Sequence, residues 1–356
     1  MTTPLATPSR YGVTRDELGD LLADHPRYRV DQVWDGLYRQ IASLEDLTSL
    51  PRAVREELAV SLPKALTLVT EQLGDGGTTR KALWRLADGV LVESVLMLYP
   101  ERATVCISTQ AGCAMGCGFC ATGQAGFSRH LSVGEIVEQL VEAAQEARAA
   151  RRRLSNVVFM GMGEPLANLD RVWAAVERMH GDLGLSARHL TISTVGIVPG
   201  IDRLAAAPLP VNLAVSLHAA NDALRDELVP VNRRYPLDVL MASCARYLEA
   251  KGRRLSFEWA LIAGVNDRVS DADELAGLCH ALPLPPHVNL IPLNPTPGWP
   301  TRGTSPAGVQ LIRELLVARG VNGTVRRNRG TDIDAACGQL AAGQPITLTA
   351  PGTRRR

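Results

Sequence analysis

The chain has 356 residues, 46% of them hydrophobic and 4% aromatic, and a formal net charge of +1. That length allows a large domain beside a small one with ample core. The near-zero charge excludes a global basic field as the means of holding nucleic acid, and the few aromatics make stacking platforms for single strands scarce. No apolar run is long enough to span a bilayer, no secretory signal is evident, and seven cysteines in a chain that reads as cytoplasmic point to metal or catalysis rather than disulfide staples.

Residues 1 to about 10 read as disordered. Thr14-Arg-Asp-Glu17 has the form of a capping box and opens a helix through Leu21 and Leu22. Val30, Val33, Trp34, Leu37 and Tyr38 recur at helical spacing, and Pro51 starts a third helix that runs to about residue 62. Two strands over 82–86 and 90–98 flank Asp88-Gly89, a hairpin signal. In the second of them Leu91, Glu93, Val95 and Met97 share one face, so Glu93 is either buried in apolar company or an edge-strand residue pointing into water. Both readings stay open.

From residue 103 the pattern changes to repeating strand–helix units. Strands are expected over 103–109, 156–160, 189–194, 211–217, 255–262 and 287–293. Helices follow them over 132–150, 170–183, 198–206, 221–228 with 237–250, 270–281 and 306–319. Ser132-Val-Gly-Glu135 caps the first of these helices. Six units in one direction predict a parallel sheet covered by helices, with right-handed crossovers, opening flat or curling towards a barrel. In such barrels chemistry sits at the carboxyl ends of the strands. Those ends carry Gly161-Met-Gly163-Glu164, Ser193-Thr194, Ser216-Leu217-His218 and Asn294-Pro295, which together read as one ligand rim. Local arginine clusters (148 with 151–153, 233–234, 253–254, and 326, 327 and 329) read more readily as solvated helix ends or loops than as phosphate clamps.

After the first strand comes Cys113-Ala-Met-Gly-Cys117-Gly-Phe-Cys120. Thiolates at such short intervals can converge on one metal centre, and a cube of four irons held by only three of them keeps one iron open for a small molecule. The alternatives are a disulfide pair or a structural zinc site, in which Cys106 supplies the fourth sulfur. Cys244 and Cys279 fall at helical spacing among leucines and read as core fillers. Cys337 stands far from the others, in Asp332-Ile-Asp334-Ala-Ala-Cys337-Gly338. Arg326, Arg327 and Arg329 would favour negative charge there, Asp332 and Asp334 would oppose it, and the sequence leaves the sign open.

The C-x-x-x-C-x-x-C spacing resembles the radical S-adenosylmethionine (SAM) superfamily. Together with Cys106-Ile-Ser-Thr-Gln-Ala-Gly-Cys113, Gly-Met-Gly-Glu164-Pro, Thr191-Ile-Ser-Thr194, Ser216-Leu-His218, Pro292-Leu-Asn-Pro295 and Asp332-Ile-Asp-Ala-Ala-Cys-Gly-Gln-Leu340, the chain resembles the RlmN/Cfr family of radical SAM RNA methyltransferases from its first helices to its last cysteine. The resemblance implies an α/β fold: an incomplete (βα)6 barrel with a small N-terminal helical domain. On that plan the chain divides into a helical accessory unit over 1–75, a hairpin connector over 76–102, a barrel with its catalytic cysteine segment over 103–345 and a disordered tail over 346–356. It further implies a [4Fe–4S] cluster on Cys113, Cys117 and Cys120, and SAM against Gly163, Glu164, Ser193, Ser216, Leu217, His218 and Asn294. Cys337 would carry an S-methyl intermediate made from a first SAM and activated with a second. Cys106 would resolve it with formation of a disulfide, and Glu93 would be the proton acceptor. The implied substrates are carbon 2 of one adenosine in 23S rRNA and of adenosine 37 in some tRNAs. A low-potential electron donor such as flavodoxin, no membrane partner and a monomeric state are expected with them. A Cfr-type enzyme acting on carbon 8 of the same adenosine shares the cysteine plan. A non-catalytic, metal-stabilised RNA-binding protein would need only four cysteines around one metal.

Overall fold

The computed structural model describes residues 8–296 and 298–343. The expected disordered tail over 346–356 and the boundary at 345 lie outside the described residues. Within them, Ser9 and Arg10 are packed rather than free. Arg10 donates from Nε to the Leu62 carbonyl (3.1 Å) and pairs with Glu45 (2.6 Å), because the chain start is pinned against the end of the third helix.

Helices α1 (Arg15–Leu21), α2 (Tyr28–Tyr38) and α3 (Arg52–Ser61) form the N-terminal unit, and α1 opens on the reciprocal Thr14–Glu17 capping box. A three-stranded antiparallel meander follows: β1 (Leu66–Gly74), β2 (Thr79–Leu86) and β3 (Leu91–Leu98). The hairpin pattern gave β2 and β3 but not β1. That strand is an edge whose interior residues are all exposed, so it has no alternating apolar signal to read.

Strand β4 (Arg102–Cys106) pairs antiparallel with β3 and parallel with β7 (Arg153–Phe159). Between them lie the short pair β5 (Gln110–Gly112) and β6 (Phe127–His130), the single turn α4 (Ala121–Gln124) and α5 (Val133–Ala149), capped by Ser132 and Glu135. The expected strand over 103–109 stops at Cys106. Ser108 is instead clamped by the Gln139 side chain of α5, which takes its N–H (2.8 Å) and donates to its carbonyl (3.0 Å).

Then α6 (Leu169–Gly181), β8 (Leu190–Thr194), α7 (Val198–Ala206), β9 (Asn212–Ser216), α8 (Asp222–Leu228), α9 (Leu237–Lys251), β10 (Leu255–Leu261), α10 (Val269–His280), β11 (His287–Pro292), α11 (Pro306–Ala318) and β12 (Asn322–Val325) complete the chain. The spatial order is β1-β2-β3-β4-β7-β8-β9-β10-β11-β12, parallel from β4 onward. The six expected parallel strands are consecutive neighbours, and β12 extends them at the far edge. The result is the incomplete (βα)6 barrel.

Both faces of these strands are covered, which is why they read as continuous apolar runs. Phe257, Trp259 and Leu261 are buried along β10, and each large apolar side chain of this kind contributes about 1.5–3 kcal/mol. The N-terminal helices join the same core: Trp34 donates to Asp182 at the end of α6 (3.0 Å), and Arg178 of α6 donates to the Tyr38 hydroxyl (2.6 Å). Beyond β12 the chain crosses back to the meander. Arg329 donates to the Thr78 carbonyl (3.0 Å) and pairs with Asp75 (3.1 Å), while the Gly330 N–H donates to Asp75 (2.9 Å). This return brings Cys337 to the strand ends.

Candidate active site

The cysteine loop hangs between β5 and α4. It is fixed where the Cys113 N–H donates to the Gly126 carbonyl (2.7 Å) and the Cys120 N–H to the Cys117 carbonyl (3.2 Å). Cys113, Cys117 and Cys120 line one open cavity. Cys117 is wedged among Leu228, Val229 and Ile262. Burial pushes the Cys113 thiol up to about 12 and the Cys117 and Cys120 thiols up as well. Three soft donors kept as neutral thiols by burial are sites that a metal must deprotonate to occupy, which suits iron–sulfur ligation. Among the described residues no three Cys, His, Asp or Glu side chains converge tightly enough for a single ion. Three thiols around one cavity form a donor set that fits an iron–sulfur cluster. Cys106 is not a fourth member: it ends β4 and lies outside the lining that the other three share.

The rim is built by strand ends. Gly163 adopts φ 97°, and any Cβ there would collide with Gln110; a Cβ on Gly161 would meet the Ile107 carbonyl at 2.7 Å. These glycines thus let the turn after β7 close on the Ile107–Gln110 segment between β4 and β5. Glu164 is buried, and its carboxylate accepts from the Val195 N–H and the Leu166 N–H (2.9 Å each). Burial nonetheless pushes it up to about 7. Ser193 and Ser216 face the same cavity. His218 also lines it, in a left-handed backbone conformation (φ 61°) that costs a non-glycine residue energy. Its Nδ1 accepts from the Ala260 N–H (3.0 Å), and its ring meets Phe119 edge-on at 4.9 Å. Burial, with Arg225 behind it, pushes His218 down to about 3. The ring is therefore neutral, and with Nδ1 accepting, Nε2 carries the proton. Leu217 does not reach the cavity. It is fully buried and joins the site through its backbone: its N–H donates to the Glu258 carbonyl (3.0 Å) and its carbonyl accepts from Arg225 (3.1 Å).

The C-terminal segment lies over the cysteine loop. The Ala121 N–H donates to the Gly338 carbonyl (2.7 Å), Thr122 Oγ1 to the Leu340 carbonyl (2.6 Å) and Asn294 Nδ2 to the Cys337 carbonyl (3.0 Å). Cys337 is half-buried on a turn, not in a short helix, and lines the cavity with Asn294. Cys106 ends β4 outside the cavity lining, and burial pushes its thiol up to about 12. All seven cysteines are free, so the disulfide that the resemblance allows between Cys106 and Cys337 is not formed.

Glu93 is buried, as the first of the two sequence alternatives had it, but its company is not purely apolar. It is fully engaged, pairing with Lys81 (3.4 Å) and accepting from the Ala341 and Ala342 N–H groups (2.9 Å each). The arginines near Cys337 also divide. Arg329 is spent on the meander, whereas Arg326 lines the cavity, 4.0 Å from Glu258 and 3.9 Å from the Met160 sulfur. Cys337 and Glu258 hold the Arg326 guanidinium above its ordinary value. Glu258 and Phe119 are cavity residues that sequence reasoning missed, and Arg326, expected as a charge near Cys337, lines the cavity with them beside Met160 at the end of β7. Glu258 sits in a strand that reads as core, and only the register Glu258 opposite Ser216 would have flagged it.

An incomplete barrel with three cluster-forming cysteines above its strand ends defines a radical SAM enzyme. Residues 107–276 match the model of the Radical SAM superfamily. The chain is 51% identical over 352 residues to a probable dual-specificity RNA methyltransferase RlmN of Chloroflexus aurantiacus, covering 95% of this chain and 94% of that protein. A counterpart from Roseiflexus is 47% identical, with 96% and 98% covered. The crystal structure of a radical SAM methyltransferase from Sphaerobacter thermophilus superposes with a TM-score of 0.91 at 50% identity, over 94% of this chain and 99% of that one. The chain belongs to the RlmN family of radical SAM RNA methyltransferases, whose cofactors are a [4Fe–4S] cluster and SAM.

Proposed function

We propose that this enzyme methylates carbon 2 of one adenosine in 23S rRNA and of adenosine 37 in some tRNAs, through an S-methylcysteine on Cys337 and at the expense of two SAM molecules. The observation that carries this reading is the pairing of Cys337 with the cysteine loop around one cavity, with Cys106 beside it. Cluster ligation alone needs neither Cys337 nor Cys106.

Cys113, Cys117 and Cys120 would hold the cluster, and Gly163, Glu164, Ser193, Ser216, His218 and Asn294 would hold SAM, while Leu217, whose backbone groups are bonded to Glu258 and Arg225, supports the rim from behind. Bound together, cluster and SAM supply both a transferable methyl and a carbon-centred radical that abstracts hydrogen, reagents no side chain provides. Cys337 accepts the methyl on Sγ and carries its carbon to the adenine ring. Carbon 2 is electron-poor and cannot attack a sulfonium methyl itself, which is why a thiol intermediate is needed. Glu93 accepts the ring proton, for which the 341–342 segment must release its carboxylate. Cys106, protonated near neutrality, attacks Cys337 Sγ once its own proton is removed; the S–S bond forms as the bond from Sγ to the methylene carbon breaks, that carbon keeps the electron pair and takes a proton to become the methyl group, and an external thiol reductant returns the Cys106–Cys337 disulfide to thiols.

His218 presents its Nε2 proton as a fixed donor, and Phe119 and Met160 exclude water. A low-potential donor such as flavodoxin feeds the cluster, the enzyme acts as a cytoplasmic monomer, and the helical unit and meander before residue 103 serve as accessory domains to the barrel. No helix among the described residues is long and apolar enough to cross a membrane.

The test is the mass of the Cys337 peptide from full-length protein expressed with iron and purified without oxygen. One added methyl is expected, and an unmodified Cys337 in cluster-loaded protein overturns the thiol route. Nucleoside digestion of treated RNA gives 2-methyladenosine on this reading. Recovery of 8-methyladenosine instead would assign the Cfr-type reaction.

A further inference from the structure

Arg225 of α8 is 0% exposed, the most thoroughly buried charged side chain in the barrel. Its guanidinium donates to the carbonyls of Val195 (2.7 Å), Leu217 (3.1 Å) and Ser216 (3.3 Å) and to Asn232 Oδ1 (2.7 Å). All four acceptors are neutral. The nearest carboxylates stand one step behind, where Asn232 donates to Asp222 (2.9 Å) and Asp226 (2.7 Å). A buried guanidinium without a direct anion is costly, and such groups persist where a compensating charge exists. Leu224 and Leu228, which flank Arg225 on α8, belong to the apolar cluster that holds Cys117, and so does Val195, whose carbonyl Arg225 holds; the guanidinium thus lies directly behind the Val195–Ser216 wall of the cavity that Cys117 lines.

We propose that Arg225 is the buried counter-ion of the iron–sulfur cluster, a fixed positive charge that raises the cluster's reduction potential while its carbonyl bonds hold the Val195, Ser216 and Leu217 rim in place. The inference rests on the reading that Cys113, Cys117 and Cys120 hold the cluster. A cube with three thiolate ligands is already anionic. Reduction by one electron, taken from an external low-potential reductant, adds one more negative charge, and a nearby cation in a low-dielectric compartment stabilises the reduced form more than the oxidised one. Arg225 is a positioning and tuning residue and touches no reacting atom.

The test is a potentiometric titration of the full-length, anaerobically reconstituted protein, followed by the electron paramagnetic resonance signal of the reduced cluster, with iron and sulfide counted in each sample. R225Q is expected to shift the midpoint to lower potential at unchanged iron content. R225K, which keeps the charge but loses most of the carbonyl bonds, is expected to stay near wild type. D226N, which removes a carboxylate behind Asn232 yet keeps an acceptor oxygen, is expected to shift it upward. Identical midpoints in R225Q and wild type overturn the proposal, and so does a fall in R225K equal to that in R225Q, which would make the effect one of structure. Should R225Q fail to fold, R225K and D226N decide: a fall in the first or no rise in the second refutes the counter-ion role. Failure of the underlying reading looks different, since the wild type would then give no reducible signal and C117A would keep its iron.

Discussion

Replacing Glu93 with glutamine tests whether the buried carboxylate is the latch of the cysteine-bearing segment. Glu93 accepts from the Ala341 and Ala342 N–H groups at 2.9 Å each, and its partner Lys81 lies 3.4 Å away. The two side chains are 7% and 11% exposed, so solvent screens the pair little. Hydrogen bonds to a charged group are worth about 1.5–3 kcal/mol and neutral ones about 0.5–1.5. Glutamine still offers an oxygen, so the two bonds together should weaken by about 2–3 kcal/mol. At ~1.4 kcal/mol per decade, that is a ~30–150-fold rise in the local opening equilibrium. Amide hydrogen exchange of the peptide covering residues 337–342 reads this directly, with α5 as an internal control. Exchange at Ala341 and Ala342 within twofold of wild type would refute the latch. On the proposed mechanism E93Q also slows release of methylated RNA more than it weakens SAM binding, and an unchanged single-turnover rate would remove Glu93 as the base.

The remaining expectations concern the two other cysteines, one histidine and one glycine. C106A should accumulate a protein–RNA crosslink, visible as a band that RNase collapses, whereas C337A should lose methylation altogether while keeping its iron; free turnover by either at the wild-type rate would sink the assignment. His218 is held down to about 3 against an ordinary value of 6.5, so its contribution is complete above pH ~6.5 and is lost as the pH falls towards 3, on the order of 5 kcal/mol in all. Glu138 and Glu164, raised to about 7, run the other way and lose stability as the pH rises from ~4.5 through 7. The urea stability difference between wild type and H218Q isolates the histidine. It should shrink between pH 7 and pH 4, and a constant difference would contradict a buried neutral ring. G163A forces a Cβ into Gln110 at φ 97° and should cost about 1–3 kcal/mol with loss of SAM affinity, measured by denaturant titration and equilibrium dialysis; a wild-type stability would refute the close approach.

Where information was local, the sequence carried it. Short intervals bring Cys113, Cys117 and Cys120 onto one loop whatever surrounds them. The boxes at Thr14 and Ser132 depend on residues three apart, and the six parallel strands announce themselves as apolar runs between amphipathic helices. Because ligands bind at strand ends in such sheets, the polar residues closing β7, β8, β9 and β11 were legible as one rim before any coordinate was known. Long-range assembly was not. The edge strand β1 has no buried alternation. Glu93 could have faced water or apolar neighbours, until the return of the chain after β12 laid two backbone N–H groups on its carboxylate. Arg326 and Arg329 are indistinguishable in sequence, yet one lines the cavity and the other ties down the meander. Arg225 has the spacing of a solvated helix residue and is instead wholly buried behind the Val195–Ser216 wall of the cavity. A charge's environment is set by the surfaces that crossovers bring against it from distant parts of the chain, and those exist only in the assembled barrel.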